Sequence, residues 1–241
     1  MPELAAALQV SEGTIRNDLK VLELDGRLTR FHGGAVLREQ AGFHNSSFSA
    51  RHEAHSAEKM LIARCAARWV KDGDSILLDA SSTAYYLAFD IQGCQRLRIV
   101  TNGIDVARLL AQNPTHTVIL IGGVLNQDGS SVTGLFSEQI IQELRIQKAF
   151  VSCSGFSLER GMTEVHLDEA QLKRKAIEAT TQVIALIDSS KFGKEDLTPF
   201  ARPAQITHLF TDSGLPPDWL GRLKQAGIDF TVCEEQAAAS K

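Results

Sequence analysis

The chain has 241 residues, 25 basic against 29 acidic side chains and 44% hydrophobic content, which suits one or two packed domains of about 150 residues each and excludes a disordered chain. No run approaches the roughly 18–20 apolar residues of a membrane span, and the amino terminus lacks a charged-then-apolar signal pattern, so a cytoplasmic chain without membrane contact is expected. A net charge of −4 excludes an electrostatic grip on nucleic acid by the whole surface and leaves room for a small basic patch.

Residues 1–40 differ in texture from everything after them, and three segments are expected: a small unit over 1–40, a linker over 41–56 and an α/β unit over 57–241. Pro2 and Glu3 suit the start of a short helix, with Leu4 and Leu8 one turn apart. Ser11 is a good N-cap for a second helix, in which Ile15, Leu19 and Leu22 form the buried stripe and Gly26 ends the run. That helix presents Thr14, Arg16, Asn17 and Lys20, the residue types that read base edges and hold phosphates. The pattern fits a recognition helix and equally an αα-hairpin with a solvated polar face. The following RLTRFHGGAVL alternates apolar Leu28, Phe31, Ala35 and Val36 with Arg27, Arg30 and His32 around a glycine pair, a basic β-hairpin. Helix, turn, helix and basic hairpin in that order describe a winged helix, whose wing rests on the phosphate backbone or in the minor groove. The serine-rich run AGFHNSSFSARHEAH that follows reads as linker or as an ordered surface arm.

The segment VSEGTIRNDLKVLELDGRLTRFHGGAVL resembles the winged helix of DeoR-type bacterial transcription regulators, whose pattern runs VS..TIR.DL..LE..G...R.HGGA. The resemblance implies that Thr14, Arg16 and Lys20 lie on the DNA-reading helix and Arg30 and His32 on the wing. Members of that family begin with a further helix, of the form ER...I...L, ahead of the segment that starts here at Pro2. The expectation is therefore a DNA-binding unit lacking its first helix and loosely held from Met1 onward.

From residue 57 the pattern is regular alternation: helix over 57–70, strand 75–80, helix 84–89, strand 98–102, helix 104–112 and strand 117–123, then helix 137–144, strand 148–155, helix 168–180, strands 182–190 and 206–212, helix 217–225 and strand 229–233. The uninterrupted apolar runs Ile76-Leu77-Leu78 and Val118-Ile119-Leu120-Ile121 suit strands buried on both faces, so a mostly parallel sheet covered by helices is expected. Ligands of such folds sit at the carboxyl ends of the strands. Cys65, Cys94, Cys153 and Cys233 stand singly in apolar segments with no histidine at ligand spacing, so free thiols, no metal and no cofactor are expected.

Strand ends carry the candidate chemistry. Ser81-Ser82-Thr83 places hydroxyls at a strand's carboxyl end and a helix start, a phosphate-binding arrangement, although Ser82 alone also reads as an N-cap. The next strand ends in Thr101-Asn102-Gly103, and the one after it in Gly122-Gly123, where glycine admits close approach of a ligand; GGVLNQDGSSVTG reads equally as a flexible hairpin. Asp168 and Glu169 open a helix with Lys173 one turn along, and Asp188 and Lys191 close a strand; each fits a phosphate or sugar site or a surface ion pair.

DGDSILLDASST, Thr101-Asn102, Gly122 to Gly134 and the later DSSKFG are similar, in order, to the sensor domain of the same DeoR-type regulators. The resemblance implies a fold shared with ribose-5-phosphate isomerase and a phosphorylated-sugar effector. Its phosphate would lie on Ser81, Ser82 and Thr83, with Thr101, Asn102, Glu169, Lys173 and Lys191 around the sugar. Two positions depart from the family pattern: Ser81 replaces its usual glycine, and Asn126 stands where a basic residue is common. The function implied is a repressor of a carbohydrate-catabolism operon, acting on operator DNA as a dimer or tetramer. Two other readings remain: a sugar-phosphate isomerase using Glu169 and Lys173 for proton transfer, and a sensor that no longer holds DNA alone.

Overall fold

The computed structural model describes residues 5, 8, 10–24, 28–31, 34–37 and 48–235. The chain divides into two compact units, Met1–Ala54 and His55–Lys241.

In the first unit Ala5 and Leu8 are helical. Ser11 opens helix α1 (Glu12–Leu24): its Oγ accepts the N–H of Thr14 at 3.1 Å, and the two hydroxyls lie 2.9 Å apart. This satisfies one of the helix's unpaired donors, as an N-cap serine should. Ile15 is buried and Leu19 half-buried, while Thr14 and Asn17 are exposed, which agrees with the expected stripe and polar face at those four positions. Strands β1 (Leu28–Phe31) and β2 (Gly34–Leu37) pair antiparallel, with Leu28 opposite Leu37 and Phe31 opposite Gly34. His32 and the side chains of Arg16, Lys20, Leu22 and Arg30 lie outside the described residues. The stretch read as linker contains a short helix, α2 (Phe48–Glu53). Its Phe48 ring stacks on His52 with centroids 5.9 Å apart, and Arg51 sits 6.0 Å over the same ring. Such i,i+3 and i,i+4 contacts favour a helix, and a count of serines does not show them.

The second unit opens with α3 (Ser56–Ala67) and then alternates β3 (Ser75–Leu78), α4 (Ser82–Asp90), β4 (Arg98–Thr101), α5 (Ile104–Leu110) and β5 (Thr117–Leu120). A small antiparallel hairpin, β6 (Val124–Leu125) with β7 (Val132–Thr133), leads into α6 (Leu135–Gln142) and β8 (Ile146–Val151). Next come β9 (Gly155–Ser157), β10 (Gly161–Glu164), α7 (Leu167–Glu178), β11 (Thr180–Leu186), β12 (Thr198–Ala201), β13 (His208–Asp212), α8 (Pro217–Gln225) and β14 (Phe230–Cys233).

Seven of these strands form one all-parallel sheet in the order β14-β13-β11-β8-β3-β4-β5. The alternating side chains of its strands feed two cores. Ile76, Leu78, Ile99, Phe150, Ile184 and Leu186 pack under α3, α4 and α5, whereas Leu77, Val100, Ala149, Val151, Val183 and Ala185 pack against α6, α7 and α8. Burial on both faces is what the continuous apolar runs imply for the inner strands. Val118-Ile119-Leu120 does not behave that way: β5 is the outermost strand, Val118 and Ile119 are half-buried and Leu120 is exposed. An apolar run reports hydrophobicity and not position in the sheet. The sequence reading also omitted the antiparallel sheet β12-β10-β9, whose tight β9–β10 turn uses Gly161 at φ 75°. Among the described residues, no helix is long and apolar enough to cross a membrane.

Candidate functional site

From β3 the chain winds outward through β4 to β5, and from β8 it winds the other way through β11 and β13 to β14. Strands β3 and β8 are neighbours, so the winding reverses between their carboxyl ends. In open α/β sheets that crevice is where ligands bind.

A charged cluster occupies it. Asp79 follows β3, and its Oδ2 accepts the N–H of Ser152, just beyond β8, at 2.9 Å. Lys173, from α7, reaches the same carboxylate at 3.0 Å, donates to Glu164 Oε1 at 2.8 Å and to the Ser152 carbonyl at 2.9 Å. Asp79 is 1% exposed and Lys173 6%, so neither charge is solvated and each depends on the other. Burial works against the Lys173 ammonium, but Asp79, Glu164 and Glu169 outweigh it and hold its pKa above the usual lysine value. The three Lys173 donors are all taken. Sequence reasoning placed Lys173 in the site and passed over Asp79 and Glu164, its partners; Asp79 was legible as the acid that closes SILLD.

The hydroxyl-rich helix start is arranged differently from the expectation. Ser81 caps α4: its Oγ accepts the N–H of Ala84 at 3.1 Å and donates to Asp79 Oδ1 at 2.5 Å. Ser82 and Thr83 are buried. What α4 offers outward is therefore its first backbone N–H groups, which have no partner within the helix, together with the dipole's positive end. Thr101 is fully buried, its Oγ1 accepting the Gly103 N–H at 3.0 Å.

Asn102, Glu169 and Ser131 meet on one carboxylate. Glu169, in the first turn of α7, accepts from Asn102 Nδ2 at 3.2 Å on one oxygen and from the Ser131 hydroxyl on the other. Burial, the larger effect, raises the Glu169 pKa, opposed by Lys173 and the Ser131 hydrogen bond. Ser131 is a site residue that the sequence reading missed; it lies within the glycine-rich stretch read as a hairpin. That hairpin is held by Val132 N–H on the Asn102 carbonyl at 2.9 Å and by Asn126 Oδ1, which accepts from Ser130 and Ser131.

Gly122 and Gly123 lie at the base of the hairpin. A Cβ on Gly123 would stand 2.2 Å from the Thr133 carbonyl oxygen and 2.7 Å from Ser137 Oγ, so close approach by the protein's own chain demands this glycine. At Gly122 a Cβ would meet nothing within 4 Å. Beyond β11, Asp188 Oδ1 accepts the Ser190 N–H at 3.1 Å and the Ser190 hydroxyl, whereas Oδ2 is buried without a partner. Lys191 is half-buried and makes no ion pair among the described residues. It nevertheless lies close enough to the buried Cys153 thiol to act on its ionisation, as do Lys173 and Asp188. Burial raises that thiol's pKa, so Cys153 stays protonated and is no nucleophile.

The crevice thus has a saturated charged floor, a helix start and, among the described residues, an unfilled acceptor at Asp188 and a cation at Lys191 without an ion pair. It suits a small polyol carrying an anionic group. It does not suit proton transfer by Lys173, which is charged, buried and fully bonded.

The chain matches the DeoR-like helix-turn-helix domain over residues 1–41 and the DeoR C terminal sensor domain over residues 54–213. It is 35% identical to the HTH-type transcriptional regulator GolR of Listeria innocua, covering 97% of this chain and 92% of that protein. To the lactose phosphotransferase system repressor of Streptococcus mutans it is 35% identical over 87% of this chain and 84% of the other, and to the glycerol-3-phosphate regulon repressor of Haemophilus influenzae 32% identical over 96% and 89%. Among solved structures, ribose 5-phosphate isomerase A of Methanocaldococcus jannaschii is similar at 16% identity and TM-score 0.42, covering 58% of this chain and 55% of that one. By both matched domains and by relatives aligned over nearly its whole length, the chain belongs to the DeoR family of helix-turn-helix transcription regulators.

Proposed function

We propose that the protein is a cytoplasmic repressor of a carbohydrate-catabolism operon whose sensor unit, residues 57–241, binds a phosphorylated sugar and thereby weakens operator binding by residues 1–40, the two joined through 41–56. The observation that carries the effector reading is the crevice between β3 and β8. Lys191 and the start of α4 supply positive potential for a phosphate, while Asp188 Oδ2 and Glu169 supply acceptors for sugar hydroxyls. The names of the relatives, a lactose phosphotransferase system repressor and a glycerol-3-phosphate regulon repressor, support the same class of regulon and ligand. Thr14, Arg16, Asn17 and Lys20 on α1 would read the operator, with Arg30 and His32 on the wing. One winged helix covers one half-site, so a homodimer or tetramer is required.

Calorimetric titration with triose, pentose and hexose phosphates, each beside its unphosphorylated parent, tests the effector. One phosphorylated member should bind and its parent should not, and Lys191→Ala should reduce the affinity about tenfold, one charge-assisted contact at the lower end of its range. Equal affinity for sugar and sugar phosphate would sink the reading.

A further inference from the structure

The charges of the crevice do not balance, and the imbalance bears on what a ligand must carry besides its phosphate. The charged groups that act on the Cys153 thiol and the Glu169 carboxyl are Asp79, Glu164, Glu169 itself and Asp188 on one side, and Lys173 and Lys191 on the other, so four carboxylates meet two ammonium groups. Lys173 is already shared, 3.0 Å from Asp79 and 2.8 Å from Glu164.

The other two acids have no cation of their own. Glu169 accepts from two neutral groups, Asn102 Nδ2 at 3.2 Å and the Ser131 hydroxyl. Asp188 is 1% exposed. Both hydrogen bonds it accepts, from the Ser190 N–H and the Ser190 hydroxyl, fall on Oδ1, and Oδ2 is buried without a partner. Asp212, at the end of the neighbouring strand β13, gives the contrast: its Oδ1 takes the Ser189 N–H at 2.6 Å and its Oδ2 the Gly214 N–H at 2.9 Å. A buried carboxylate oxygen without a donor is destabilising, and the donor it lacks is the natural contribution of a ligand.

Lys191 is half-buried and is the cation available to a phosphate. Once a phosphate engages it, together with the start of α4, no cation is left for Asp188 or Glu169. A sugar hydroxyl brings one neutral donor to such an acceptor. An ammonium brings a positive charge and a donor on each N–H, and a hydrogen bond to an ionised partner is roughly twice as strong as a neutral one. Among the described residues, no three His, Cys, Asp or Glu side chains gather closely enough to hold a metal ion. The missing charge therefore suits a cation carried by the ligand better than a bound metal.

We propose that the crevice between β3 and β8 takes a phosphorylated amino sugar, its phosphate on Lys191 and the start of α4 and its free ammonium against Asp188 Oδ2. The inference rests on the proposed function, which supplies the phosphorylated sugar, and adds the amine. Calorimetric titration of the full chain at neutral pH with matched pairs tests it: glucosamine, galactosamine and mannosamine 6-phosphates against glucose, galactose and mannose 6-phosphates, and serinol phosphate against glycerol 3-phosphate for a shorter ligand. At least one amine should bind about tenfold more tightly than its hydroxyl partner, the step from a neutral to a charge-assisted hydrogen bond. Its N-acetyl derivative, which keeps an N–H and loses the charge, should bind no better than the hydroxyl partner. Asp188→Asn keeps Oδ1 for Ser190 and removes the charge; it should weaken the amine more than the hydroxyl, bringing their ratio towards one. The ligand pairs on the natural chain decide the matter even if that variant does not fold. Hydroxyl partners that bind as tightly as every amine, as a proton on one of the carboxyls would give, overturn the proposal and leave the phosphorylated-sugar reading standing. An N-acetyl derivative that matches the free amine, or a preference for the amine that survives in Asp188→Asn, overturns it too. Failure of every sugar phosphate to bind removes both readings together.

Discussion

Replacing Lys173 by Met tests the account of the crevice floor. Methionine keeps the stem that packs below Phe200, whose ring lies 5.2 Å from Nζ, and removes the charge, its two hydrogen bonds and its ion pair with Asp79. Asp79, 1% exposed, and Glu164 are then left as neighbouring carboxylates with no cation. Asp79 keeps the Ser81 and Ser152 donors, and Glu164 keeps Ser154 Oγ at 3.3 Å. Removing one partner of a buried pair costs about 3–5 kcal/mol. For a unit of this size each kcal/mol corresponds to about 2–4 °C, so the melting temperature should fall by about 6–20 °C at neutral pH. Thermal and urea denaturation at neutral pH measure the loss, and one below about 1 kcal/mol would refute the claim that the charges are buried and interdependent.

Three further outcomes are expected. Gly123→Ala places a Cβ 2.2 Å from the Thr133 carbonyl oxygen and should cost about 1–3 kcal/mol by overpacking, whereas Gly122→Ala, with nothing within 4 Å, should change stability by less than about 0.5 kcal/mol; equal losses in urea titration would contradict this. The pKa of Glu169 is raised above its ordinary 4.5, so its contribution to stability is complete below that value and lost as pH rises through the folded value. Glu169→Gln should flatten that decline, and melting curves that run parallel for the two proteins would count against it. On operator DNA, Arg16→Ala should weaken specific binding by about 1–3 kcal/mol, while Arg30→Ala should weaken specific and random DNA alike and lower the salt slope; identical losses on both DNAs for Arg16→Ala would assign it a phosphate.

The parallel sheet was legible because inner strands are apolar at consecutive positions, and Ser81, Asn102, Glu169 and Lys191 were legible because they stand at strand or helix ends. What stayed hidden depended on tertiary neighbours. Val118 to Leu120 reads like part of an inner strand and lies at the edge, since only strand order decides which apolar run is covered. Gly123 reads as room for a ligand and is room for Thr133 and Ser137. Ser81 and Lys173 read as free donors and are already committed, to Asp79 and to Asp79 with Glu164. Residue type and spacing suggest which groups can bind a ligand. The count of donors left after the protein's own bonds decides which are available.

That count bears on how a ligand could alter the assembly. An effector shifts an equilibrium only through unequal affinity for its two states, so it must engage a part of the molecule that differs between them. The saturated floor of Asp79, Lys173 and Glu164 is a poor candidate, because displacing any member leaves a buried charge unpaired. The Glu169 carboxylate is a better one. It joins Asn102 after β4, Ser131 before β7 and the first turn of α7, and on the proposed function a sugar hydroxyl that took up this acceptor would strand no cation. On the proposed reading, the coupling that passes through Glu169 is limited to what one charge-assisted hydrogen bond is worth, about 1.5–3 kcal/mol.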